Sequence, residues 1–260
     1  NTHALSNKRG ECIYAACDHY HRCFAERSVK KAQRADIVVA NHALVMIQTA
    51  DAAEGQELPK RYVFDEGHHL FDAADSAFAG HLTALETRDM RRWLLGHENA
   101  GKASRARGLK KRIEDLIVGD SISEAALQAV QHAAQILPKD GWTKRLKDSE
   151  PFGKAEEFLH GVYKQVYARA DHRDSPYSIE TQTRPLIDGV LDKASDLKGG
   201  LKAIQKPLTA LAVRLRKKLA ENAETLGSDE RKRIESVATG LNLRALTLAA
   251  WIGMLERSSA

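Results

Sequence analysis

The sequence predicts a mainly α-helical protein with one small α/β piece near its N-terminal end. Three observations predict it. From about residue 73 onward, apolar residues recur at helical spacing with few breakers. Only two short runs, Asp36-Ile37-Val38-Val39-Ala40 and Tyr62-Val63-Phe64, read as buried strands, and the helical patch between them makes a βαβ fragment. Finally, the stretch TLGSDE puts a C-capping glycine, Gly227, before an N-capping serine, Ser228, so two long helices meet there as an antiparallel hairpin.

In chain order, good helix formers dominate from Cys23 to Ala35, and the chain then switches to the strand DIVVANH, ending in Asn41-His42. The helical patch ALVMIQTA, the polar loop DAAEGQELPKR and the strand YVFDE follow. Two strands cannot make a stable parallel sheet alone, because such sheets need further neighbours and covered faces. Beyond residue 72 the spacing predicts helices at 73–97, 104–118, 123–137, 151–170, 186–226 and 229–257, with a break or kink in the fifth at Gly199-Gly200 and Pro207. The alternating SPYSIETQTRP, residues 175–185, predicts one or two short extended pieces instead.

With 43% apolar residues in 260, the chain can bury one large core or two small ones. No run approaches the ~18 consecutive apolar residues of a spanning helix, and NTHALSNKRGEC lacks a signal-peptide core; a cytoplasmic protein without membrane contact is the expectation. The net charge of +5 is modest, but cations cluster at Arg88, Arg91, Arg92, Lys102, Arg105, Arg107, Lys110, Lys111 and Arg112, and again at Arg214, Arg216, Lys217 and Lys218. Each cluster is either a solvated helix face or a contact for nucleic acid.

Two motifs carry chemistry. Cys12, Cys17 and Cys23, spaced C-x4-C-x5-C, are the chain's three cysteines, and such clustering points to a shared ligand. Zinc with His19 or His21 as a fourth donor and an iron-sulfur cluster, which wants four thiolates, both remain open. The second motif is Asp65-Glu66-Gly67-His68 at the end of an apolar run. An aspartate there can hold Mg²⁺ through its water shell, and a following glutamate can orient the water that attacks a γ-phosphate. Acids are also favoured at any helix N-terminus by the macrodipole. A metal-hydrolase set of Asp65, Glu66, His68 and His69 lacks a second, distant group of ligands. The one near match to a phosphate loop, GHENAGKA at 96–103, has Ala103 where a hydroxyl is needed and follows a helix, which makes Lys102 a loop lysine.

In this order and spacing, C-x4-C-x5-C, ADIVVANHALV and YVFDEGHH resemble the DinG/XPD-like family of iron-sulfur DNA helicases over roughly residues 10–72. The resemblance implies that Cys12, Cys17 and Cys23 are three of four [4Fe-4S] ligands and that Asp65, Glu66 and His68 are DEAH-box residues serving Mg²⁺ and ATP, with Gly67 in place of the usual alanine. It implies a partial cluster domain at 1–35, a piece of RecA-like motor domain at 36–72, with Asn41-His42 ending its linking strand, a helical arch domain at 73–250, and a return toward the motor at 251–260. The phosphate loop and second motor domain then belong to other parts of a longer protein. That protein would be an ATP-driven 5′-to-3′ helicase acting in DNA repair on single-stranded and forked duplex DNA, with Arg88, Arg91, Arg92, Lys110 and Lys111 on the strand. The competing reading is a helical DNA- or protein-binding module with an inert DEGH motif.

Overall fold

The computed structural model describes residues 19–50, 58–96, 108–170, 179–222 and 225–259. They fall into two compact units, one within 19–81 and the other from Leu82 onward. The fold is mainly α, as the periodicity predicts.

The smaller unit begins with a single 3-10 turn, Tyr20–Arg22, and three short helices follow: α1 (Phe24–Ala32), α2 (His42–Ala50) and α3 (His69–Phe78). Asn41 starts α2 by accepting the Leu44 N–H at 2.8 Å, the side-chain cap that asparagine supplies well. Helices α2 and α3 pack on each other. The two expected strands do not form among the described residues: 37–41 and 61–64 run without a ladder partner. The physical reason is the one that made the pair insufficient, since a parallel strand needs a hydrogen-bonded neighbour and cover on both faces. Ile37, Val39 and Val63 accordingly stand 85%, 96% and 100% exposed.

The larger unit is a helical bundle of α4 (Ala84–Leu95), α5 (Leu109–Ile113), α6 (Ser121–Ala133), α7 (Trp142–Lys147), α8 (Gly153–Arg169), α9 (Val190–Glu221) and α10 (Ser228–Ser259). Thr83 and Glu86 start α4 with a reciprocal capping box. The long pair dominates: α9 and α10 have 32 residues each, about 48 Å at 1.5 Å per residue. A seam of buried residues runs along α9 at 190, 194, 197, 201, 204, 208, 211 and 215 and along α10 at 234, 238, 241, 245, 248, 252 and 255, with Gly200 and Ala212 on α9 and Gly240, Arg244 and Trp251 on α10 buried beside it. Steps of four and three, repeated without a slip, give the 3.5-residue period of a coiled-coil seam. Each fully buried leucine there contributes about 2 kcal/mol, so the seam holds the hairpin more than helix propensity does.

Of the break or kink expected in α9, no break occurs: the helix runs through Gly199, Gly200 and Pro207. Gly200 is small for a packing reason. A Cβ there would clash with Ile136 Cδ1, on the 3-10 turn Ala134–Ile136 that follows α6. Helices α6 and α8 also pack against α9. By length and composition Glu230–Arg257 would pass for a membrane-crossing helix, but its apolar seam is packed on α9 in the core. The expected return segment at 251–260 continues α10 to Ser259, with Trp251, Ile252 and Leu255 buried. Of the stretch 175–185, residues 179–185 are described and are non-helical.

Candidate nucleotide site and charged surfaces

In the smaller unit the DEGH motif forms the turn that leads into α3. His69 N donates to Glu66 O at 3.0 Å and Leu70 N to Gly67 O at 3.1 Å, so the acid pair sits at a helix N-terminus. The Asp65 carboxylate accepts the Glu66 N–H at 3.0 Å through Oδ1. Glu66 takes a left-handed conformation, φ 49°, which costs a non-glycine residue about 1 kcal/mol and turns its side chain toward His68. There Glu66 Oε2 and His68 Nδ1 stand 3.3 Å apart, both side chains two-thirds exposed. The His68 and His69 rings lie 4.0 Å apart by centroid. A Cβ on Gly67 would meet nothing within 4 Å, so the alanine that the resemblance leads one to expect would fit here.

The second motif of the unit lies beside the first. His42, at the start of α2, stacks on Phe64 at 5.7 Å and 16°, and Tyr62 stacks on Phe64 at 6.0 Å. His42 therefore meets the apolar run that precedes DEGH through stacked rings. Asp65 and Glu66 present two exposed carboxylates on one tight turn, a donor set that suits a hydrated Mg²⁺. No phosphate-binding loop accompanies them among the described residues, and GHENAGKA falls almost wholly outside those residues.

Cys12 and Cys17 also lie outside the described residues. Cys23 is half-buried at the N-terminus of α1 and makes no side-chain cap bond. Among the described residues no three His, Cys, Asp or Glu side chains converge as a metal site. The described part therefore does not by itself fit a cluster.

Of the five cations read as strand contacts, Arg91 requires correction. It is only 2% exposed, and its guanidinium donates to the carbonyls of Ala134, Gln135 and Leu137 at 2.9–3.1 Å and to Gln135 Oε1 at 2.8 Å. Arg91 ties α4 to the end of the α6 turn, satisfying carbonyls that a helix end leaves orphaned, and is not a surface group. Arg88 is half-buried beside Asp89 at 3.3 Å, with its Nε buried and unpartnered. Arg92 is half-buried, whereas Lys110 and Lys111 are exposed on α5. Trp93 is core: the Arg244 guanidinium lies 3.7 Å over its ring, joining α4 to α10.

The second basic run is also partly internal. Arg214 forms a two-pronged pair with Asp120 at 2.7 Å, and Lys218 Nζ donates to Leu116 O at 2.7 Å. Arg233 of α10 grips Asp115 in the same two-pronged way. These bonds staple the 113–120 loop to both long helices, and they hold the Asp115 and Asp120 carboxyls below the usual carboxylate range. A further buried charge is Glu156, fully enclosed, which accepts from Arg145 at 2.5 and 2.9 Å and from the Phe152 N–H at 2.9 Å. Sequence reasoning passed over one feature of the bundle, exposed Tyr163 and half-buried Tyr167 on α8, whose i, i+4 spacing was the available signal.

Among curated proteins, the chain is 33% identical over 90 residues to the ATP-dependent DNA helicase YoaA of Haemophilus influenzae, a match covering 33% of this chain and 14% of that protein. It is 41% identical over 75 residues to the ATP-dependent DNA helicase DinG of Salmonella typhimurium, covering 28% of the chain and 10% of the relative. The Escherichia coli K12 DinG matches at 40% over the same length and shares. The matches thus span about a seventh or less of these relatives' own length. No protein-family profile and no solved structure matches the chain. The relatives bear out the resemblance to DinG-like helicases.

Proposed function

We propose that this chain is part of an ATP-dependent DNA helicase that moves 5′ to 3′ along single-stranded DNA and opens forked duplexes in the cytoplasm. The observation that carries it is the DEGH turn, with two exposed carboxylates and a histidine beside Glu66, on a unit whose apolar segments 37–39 and 62–64 have no sheet partner among the described residues. Those segments are what a motor sheet would cover, and such cover would come from parts of the parent protein beyond this chain. Bound Mg²⁺ and ATP would supply a polarised γ-phosphate. Asp65 would hold the ion, Glu66 would orient the attacking water, and His68 would fix the Glu66 carboxylate. Cys12, Cys17 and Cys23 are proposed as cluster ligands, with a fourth supplied elsewhere. On this reading the chain alone does not hydrolyse ATP.

The test uses the full-length parent protein. Glu66→Gln is expected to lower DNA-stimulated ATP hydrolysis at least a hundredfold while ATP binding persists. Hydrolysis that survives the substitution, or that DNA does not stimulate in the parent, overturns the motor reading.

A further inference from the structure

The larger unit carries an aromatic ladder with one well-exposed rung. Along α8, the rings of His160, Tyr163 and Tyr167 follow one another at centroid distances of 6.4 and 4.3 Å, tilted by 33° and 38°. The ladder starts in the core and is most exposed at its middle rung: His160 is 5% exposed, Tyr163 45%, and Tyr167 is half-buried. Buried His160 and half-buried Tyr167 thus hold the exposed Tyr163 ring between them.

Two cations border it. Lys164 is exposed on α8, one turn beyond His160. Lys193 of α9 reaches across at Gly161, where a Cβ would lie 3.5 Å from its Cδ and 3.9 Å from its Nζ. Neither ammonium pairs with a carboxylate among the described residues, unlike Arg214, Arg233 and Lys202, which do. Their field is felt locally: after burial, Lys164 and Lys193 are the groups that lower the His160 pKa.

A tilted tyrosine pair with unpaired cations at its side has the two elements a single strand needs, flat faces for bases and positive charge for phosphates. A protein partner would require instead a broad apolar patch, or acids on its own surface. We propose that Tyr163 and Tyr167 stack bases of single-stranded DNA while Lys164 and Lys193 contact the flanking phosphates. The inference rests on the helicase reading and names the face of the helical unit that meets the strand.

The test is the fluorescence anisotropy of labelled oligo-dT on the 260-residue chain, titrated at several salt concentrations. Tyr163→Ala is expected to weaken binding about 5- to 100-fold with the salt slope unchanged, and Tyr163→Phe, which keeps the ring, to restore it. Lys164→Gln should reduce the magnitude of the slope by about 0.7, the share of one phosphate contact on a single strand. Lys164 is exposed, so this arm stays readable even where a tyrosine variant misfolds. If the chain binds oligo-dT with unchanged affinity and slope in all three variants, or does not bind it at all, the α8 face is not a strand site. Either outcome is separate from the fate of Glu66→Gln in the parent, so the two readings can fail independently.

Discussion

Arg91 and Arg92 are adjacent in sequence and unlike in role. Arg91 is sealed beneath the Ala134–Leu137 turn, with its guanidinium on three carbonyls, while Arg92 is half-buried without comparable bonds among the described residues. Removing Arg91 strands those carbonyls and leaves a cavity, and breaking one side of such a buried charged network costs about 3–5 kcal/mol. Arg91→Ala is therefore expected to lower the urea midpoint of the chain sharply, and Arg92→Ala to change the unfolding free energy by no more than about 0.5 kcal/mol and so to leave the midpoint nearly unmoved. Equal midpoints for the two variants would contradict the burial of Arg91. The sequence could not reveal this difference, because the carbonyls that capture Arg91 lie 43 to 46 residues away. The DEGH turn was legible because its cue is local: an apolar run, two acids, a small residue and a histidine.

Among the elements, α9 was legible where its signals are local and misread where they are not. The Gly227-Ser228 junction marks the turn between α9 and α10 from capping alone. Gly199-Gly200 looked like a break, yet the pair sits inside a continuous helix because one member makes room for a neighbour. Around Gly199 nothing lies within 4 Å of an added Cβ, whereas at Gly200 the Ile136 methyl is in the way. Gly199→Ala should thus stabilise by about 0.5–1 kcal/mol through helix propensity. Gly200→Ala should destabilise, and should regain stability when combined with Ile136→Val, which deletes the obstructing methyl. Thermal midpoints of the single and double variants decide the matter; strictly additive effects would rule out the contact. The strands 36–40 and 62–64 show the reverse limit. Their β-branched and aromatic content is real, but a ladder is made by neighbours, and the described residues hold none.

At the scale of the whole larger unit, pH between 8 and 3 should act through Asp115, Asp120, His160 and, through its bond from Lys202, Glu256. The Asp115 and Asp120 carboxyls are held low, first by their hydrogen bonds to Arg233 and Arg214. A carboxyl whose folded pKa is depressed adds stability above its unfolded value, about 3.9, and loses it as pH falls toward the folded value. His160 is pushed down, chiefly by burial, so it is neutral when folded and opposes protonation. Its contribution is complete above about pH 6.5 and fades as pH falls through that value. Urea midpoints measured from pH 8 to 3 should show a shallow decline beginning near 6.5 and a steeper one below about 4. His160→Gln should remove the first and Asp120→Asn should soften the second. A midpoint that is flat between pH 7 and 5 would contradict the enclosed, cation-flanked histidine.

The unbroken seam of the α9–α10 hairpin has a mechanical consequence. Proline has no N–H, so at Pro207 α9 necessarily lacks one rung of its backbone ladder and is at its most compliant there. The neighbouring α10 has no proline along its whole length. It lies alongside as a splint, and Leu208 and Ile204, on either side of the weak point, are both fully buried in the seam that binds it. A bending load on the hairpin at this level is therefore borne by α10, and the two helices flex as one beam instead of α9 folding at its proline.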